Sequence, residues 1–122
     1  MKKLLLVLSS ILLLASSCQK QLSKGLYFAD TEDGIIYLEL MKGKDCIMFF
    51  QGEKEESCTY YISDGQIDLM GHATININGY TNSWWFGGSL GKGIINGDSF
   101  KIQAQRMCKP GLEYKYLTFY KH

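Results

Sequence analysis

The chain is nearly free of proline: one residue in 122, against 13 glycines. Its turns are therefore glycine turns. No apolar run reaches the roughly 20 residues that a membrane-spanning helix needs. Neither sign of charge dominates, with 13 Lys and Arg against 12 Asp and Glu. Near-neutral charge without a basic cluster argues against nucleic acid as a partner. Two histidines and no C-x₂-C pair leave little for metal or acid–base chemistry. No repeat of solenoid length, no low-complexity segment and, past the first twenty residues, no useful helical period occurs.

The first twenty residues have a different character. Lys2 and Lys3 precede an apolar run from Leu4 to Ala15, and then come Ser16, Ser17 and Cys18. A positive start, a short greasy core and small residues at its end are the layout of a secretory leader. Leu14-Ala15-Ser16-Ser17-Cys18 resembles the lipobox of bacterial lipoproteins. That resemblance implies a diacylglycerol on the Cys18 thiol, cleavage just before it, and a palmitate-class acyl chain on the new amino group. Several acyl chains anchor far more firmly than one, since each buried CH₂ contributes about 0.8 kcal/mol. Gln19 stands where many such proteins carry an aspartate for inner-membrane retention. The expected home is the outer membrane, on its periplasmic face. The chain then divides into a cleaved signal peptide (1–17), a lipidated tether (18–24) and a folded domain (25–122).

Removing residues 1–17 leaves 105, enough for one domain with its own core. Cys46, Cys58 and Cys108 lie within it. Export to an oxidising compartment favours a disulfide. Cys46 and Cys58 flank the turn around Gly52 and would face each other on adjacent strands. Closing so short a loop contributes about 2–3 kcal/mol. The alternative is three buried free thiols, since cysteine is itself a common core residue.

Alternation of period two fills the rest. Ile36, Leu38 and Leu40 share a face in "GIIYLEL", and Cys58, Tyr60 and Ile62 share one in "SCTYYIS". "QIDLM" places Ile67 and Leu69 together; "DSFKIQAQ" places Phe100, Ile102 and Ala104 together. Asp64-Gly65 and Asn96-Gly97 signal hairpins, because glycine accepts the positive φ of a type I′ turn. "GLYFA", "CIMFFQG", "ATININ", "WWFGGSLGKGII" and "EYKYLTFY" supply further strands, the last with a phase change near Leu117. About eight short strands in tight succession read as an all-β antiparallel meander. Closure into an eight-stranded up-and-down barrel removes its sheet edges. A two-sheet sandwich is the alternative.

"YYISDGQIDL", "FGGSLGKGIINGDSFKI" and "LTFYK" resemble the pattern of small lipocalin-like lipoproteins from Gram-negative envelopes. The resemblance implies a calycin-like barrel. It implies no activity, because fold does not fix function.

Candidate chemistry is sparse. His72 follows Gly71 and is expected in a turn, with no triad partner in view. Cys46, Cys58, His72 and Cys108 would make a poor zinc set without a two-ligand knuckle. Asp30, Glu32 and Asp33 before Gly34 lack the full calcium-loop pattern and read as a solvated acidic turn. Gly87-Gly88 marks a bulge or bend rather than a phosphate loop. In "NSWWFGG", Trp84 and Trp85 must face opposite sides of a strand. With Tyr80 and Asn82 they form the candidate binding residues, for a sugar ring, a small apolar ligand or a protein partner. The functional expectation is a membrane-anchored binding module, with no catalytic residues, no cofactor and no metal. The alternative is a structural or inhibitory envelope lipoprotein without a ligand pocket; a hydrolase would need an acid–base set that the sequence does not display.

Overall fold

The computed structural model describes residues 22–108 and 111–122. Nine strands follow in chain order: β1 (Gly25–Thr31), β2 (Gly34–Leu40), β3 (Asp45–Phe50), β4 (Glu56–Ser63), β5 (Gln66–Ile77), β6 (Tyr80–Phe86), β7 (Gly93–Asn96), β8 (Ser99–Cys108) and β9 (Gly111–Lys121). All pairings are antiparallel. β6 and β7 lie end to end in one slot between β5 and β8, separated by a 3₁₀ turn at Gly88–Leu90. Pairing of β1 with β9 through Phe28 and Tyr120 closes the ring. The result is a closed eight-stranded up-and-down barrel, compatible with a lipocalin-like fold.

Alternation explains the core. Ile36, Leu38, Met48, Phe50, Ile67, Leu69, Phe100 and Phe119 point inward and are fully buried. The Phe100 and Phe119 rings stack at 5.0 Å, and Phe86 meets Phe119 edge-on at 5.8 Å. Large side chains therefore occupy the inner positions of the barrel. Each fully buried aliphatic or aromatic side chain of this kind contributes about 1.5–3 kcal/mol.

The two ends differ. One carries the β1–β2, β3–β4, β5–β6 and β8–β9 connections; it is called here the Asp33 end. The other carries the entering chain, the β2–β3, β4–β5 and β7–β8 turns, and the C-terminus; it is the Leu22 end. Leu22 packs into the core there, and the Tyr27 hydroxyl donates to the Ser23 carbonyl at 2.6 Å. Tyr60 likewise donates to the Met41 carbonyl at 2.6 Å.

Two local expectations change. Gly71 and His72 do not turn the chain: "QIDLM" and "ATINI" form the single twelve-residue strand β5. Gly71 is small for another reason, since a Cβ there would lie 2.5 Å from Cys58 Cβ. Asp64-Gly65 makes the expected hairpin, with φ of 53° and 73° at its two central residues. At the β7–β8 hairpin, however, Asn96 pairs with Ser99, so Gly97 comes first of the central two, with φ 64°. The tandem left-handed pair recurs instead at Asn78-Gly79, with φ of 52° and 83°.

The phase of β9 also resolves. Glu113, Lys115, Leu117 and Phe119 share the inward parity, while Tyr114, Tyr116 and Tyr120 lie exposed. There is no slip at Leu117. The inward row simply changes from apolar to charged as it approaches the Asp33 end.

Candidate functional site

Cys46 and Cys58 are directly opposite across β3 and β4, with Cα atoms 4.9 Å apart, and are joined as a disulfide. That separation suits a disulfide. Cys108 is a free thiol on the other side of the molecule. Among the described residues no cluster of three or more His, Cys, Asp or Glu forms a metal site. No helix among them is long and apolar enough to cross a membrane. The leader and Cys18 lie outside the described residues.

The four residues grouped around the tryptophans do not share a surface. Tyr80, Asn82 and Trp84 have the inward parity of β6; Trp85 has the outward one. Trp84 is 1% exposed and Trp85 40%. The polar edges of Trp84 and Asn82 are already engaged. Trp84 Nε1 donates to Asp33 Oδ2 at 2.8 Å, and Asn82 Nδ2 donates to Asp33 Oδ1 at 3.1 Å.

Asp33 is the centre of that end of the barrel. Its turn is shaped by Thr31, whose hydroxyl accepts from the Asp33 N–H at 3.0 Å and donates to the Gly34 carbonyl at 2.7 Å. Asp30 and Glu32 are exposed, as expected of a solvated acidic turn, but Asp33 is not: its side chain is 4% exposed. Arg106 meets it with two parallel bonds of 2.8 Å, Nε to Oδ2 and Nη2 to Oδ1. The guanidinium also lies 6.0 Å from the Trp84 ring centre. Arg106 Nη1 donates to Glu113 Oε1 at 2.7 Å, and Lys115 Nζ reaches Glu32 Oε1 at 2.8 Å.

These contacts set the ionisation of the group. Donation from Arg106, helped by Trp84 and Asn82, holds the Asp33 carboxyl below its ordinary 3.8 although burial opposes this. Arg106 is pushed further up, first by its bonds to Asp33. Hydrogen bonding from Arg106 also lowers Glu113, and bonding to Glu32 raises Lys115. Every member has a partner, so this end is a satisfied ionic plug. Chemically it can hold the barrel's shape and close its mouth.

The outer wall offers a different surface. The Trp85 and His72 rings stack with their centres 4.2 Å apart and their planes nearly parallel, at 17°. His72 is thus a strand residue facing outward, and Glu56 Oε2 lies 3.5 Å from its Nε2. Strand register continues the row: His72 opposes Trp85, Trp85 opposes Gln105, and Gln105 opposes Tyr114. Tyr114 is 59% exposed. The next outward pair is Gln103 with the exposed Tyr116. With strands about 4.8 Å apart, the row from Trp85 to Tyr114 spans roughly 10 Å.

No family model, curated protein or solved structure matches this chain. The assignment of function therefore rests on its own residues. Sequence reasoning marks Trp85 and misses its neighbours. Gln105 and Tyr114 come beside it only through the β6–β8–β9 register, which joins segments that no local pattern connects. Arg106 was within reach: it continues the inward parity of Phe100, Ile102 and Ala104.

Proposed function

We propose that this chain is a lipid-anchored, lipocalin-like protein of the cell envelope, tethered at Cys18, that binds glycan on the outer wall of its barrel. The observation that carries the reading is the half-exposed Trp85 ring laid flat on His72 at 4.2 Å, in register with Gln105 and Tyr114. A fixed aromatic face accepts the C–H face of a sugar, which is apolar. Adjacent amide and phenol groups pair with the hydroxyls on its edge. Two flat rings separated by an amide suit a short oligosaccharide better than a compact apolar molecule. The inner positions hold large buried side chains, and the Asp33 cluster consumes the polar edges of Trp84 and Asn82. These observations favour the wall over the interior.

Tryptophan emission, titrated with oligosaccharide fragments of peptidoglycan and lipopolysaccharide, tests this. Binding should shift the emission of the native protein and leave that of Trp85→Phe unchanged. Unaltered emission and melting temperature across both sets of fragments would count against it.

A second reading has one observation in its favour. Tyr120, Phe28, Tyr37 and Phe49 form a continuous outward aromatic row across β9, β1, β2 and β3. Such a row suits a protein partner and a structural or inhibitory role. In-cell cross-linking from position 37 that captured one envelope protein, with no glycan binding at Trp85, would favour it.

A further inference from the structure

We infer that the glycan site is the start of a track: it continues along the β8–β9 ladder from Trp85 and Tyr114 to Tyr116 and takes the interior of a linear, uncharged polysaccharide. The inference rests on the proposed binding of glycan at Trp85 and gives that glycan a length and a charge class. A short fragment fills the part between Trp85 and Tyr114; a longer chain reaches Tyr116.

Register is the first argument. β8 and β9 pair without interruption over ten positions, from Ser99 opposite Tyr120 to Cys108 opposite Gly111. Outward side chains along such a ladder recur every second residue, about 7 Å apart. Here the pair Gln105–Tyr114 is followed by the pair Gln103–Tyr116, amide beside phenol each time. Both phenols are open, Tyr114 at 59% and Tyr116 at 64%. A surface unit that repeats along a line matches a ligand that repeats along a line, whereas a single sugar engages only one unit. The barrel wall curves around its axis but runs on along its strands, so a chain can follow β8 and β9 and leave at either end.

Presentation is the second. His72 stacks against the Trp85 ring, and Lys101, two positions from Gln103 on β8, has Nζ 5.3 Å from the centre of the Tyr116 ring. A cation over an aromatic face is attracted to it. Each neighbour restricts its ring before a ligand arrives, which lowers the ordering cost of binding. Gln103 and Gln105 each offer one acceptor oxygen and two N–H donors between the rings.

Charge is the third. Among the described residues, Lys101 is the one charged side chain at the outward positions of β8 and β9. Around those strands stand Lys92 and the carboxylates of Asp30, Asp68 and Asp98. A polyanion would find as much repulsion as attraction there. Hydroxyl and acetamido groups need hydrogen-bond partners and no counter-charge, and the amides and phenols supply them.

Calorimetric titration with N-acetylglucosamine oligomers tests the track. Affinity should rise several-fold from the disaccharide to the hexasaccharide. Hexagalacturonate, matched in length but charged, should bind several-fold more weakly than the neutral hexasaccharide. Tyr116→Ala, at an exposed position, should lower the affinity for the neutral hexasaccharide several-fold and leave the melting curve unchanged. Equal affinity at the two lengths, or a hexasaccharide indifferent to Tyr116→Ala, would overturn the track. Tighter binding of hexagalacturonate would overturn the uncharged class. Light scattering is the second readout: a protein dimer that Tyr116→Ala dissolves would assign this face to a second copy and overturn the inference. The underlying reading is separable. If fragments of peptidoglycan or lipopolysaccharide shift Trp85 emission while the oligomers show no dependence on length, the glycan site stands and the track falls; if no sugar of either set binds, both fall.

Discussion

Arg106 and Asp33, 73 positions apart in the chain, meet through two parallel 2.8 Å hydrogen bonds inside one mouth of the barrel. The pairing ties the β1–β2 turn to β8 and occupies carboxylate oxygens that also accept from Trp84 and Asn82. Removing one partner strands a largely buried charge, which costs about 3–5 kcal/mol in comparable pairs. Asp33→Ala and Arg106→Ala should each destabilise the protein by about 3 kcal/mol in urea unfolding. The double variant should cost clearly less than the sum of the two. Additive losses would mean that the pair does not act as a unit.

The pH dependence follows from the same contacts. Asp33 and Glu113 have depressed values in the fold. Their contribution is present above the ordinary carboxylate range and is lost as pH falls through the depressed values. Stability should therefore drop below about pH 4, and Asp33→Asn should narrow its gap from the native protein there. Burial raises Tyr27 and Tyr60. For these groups the contribution is present below pH 10 and is lost as pH rises through the elevated values. Urea midpoints measured from pH 2.5 to 11 check both limbs.

The disulfide gives a count. Without reductant, denatured protein carrying Cys18→Ala should release one thiol, from Cys108; with reductant it should release three. Loop closure over a separation of 12 contributes about 3 kcal/mol, so reduction should lower the urea midpoint by a corresponding amount. Three thiols without reductant would exclude the bond.

Gly71 should not tolerate a side chain. Alanine there would press on Cys58 Cβ from 2.5 Å. Overpacking of this kind costs about 1–3 kcal/mol. A melting temperature for Gly71→Ala equal to that of the native protein would contradict the packing.

Where alternation is strong, the fold is legible from the residues. Ile36, Leu38 and Leu40, or Phe100, Ile102 and Ala104, point inward as their spacing implies. The harder cases share one cause: interactions between distant segments. "EYKYLTFY" looks out of phase near Leu117 until Glu113 and Lys115 are seen facing inward, where Arg106 and Glu32 receive them. Asp33 looks like a wet turn until Arg106 arrives from β8. Gly71-His72 looks like a break because close approach to Cys58 and a turn both call for glycine. For the candidate site, Trp85 could be singled out by composition, but Gln105 and Tyr114 become its neighbours only through barrel register.

The central claim is that recognition occurs on the outer wall and not within the barrel. An NMR titration of residues 19–122 with peptidoglycan and lipopolysaccharide oligosaccharides tests it most directly. The account predicts shifts confined to His72, Trp85, Gln105 and Tyr114, with the inward Trp84, Phe100 and Phe119 unmoved. Shifts centred on those three inward residues, or none anywhere with either ligand, would contradict it.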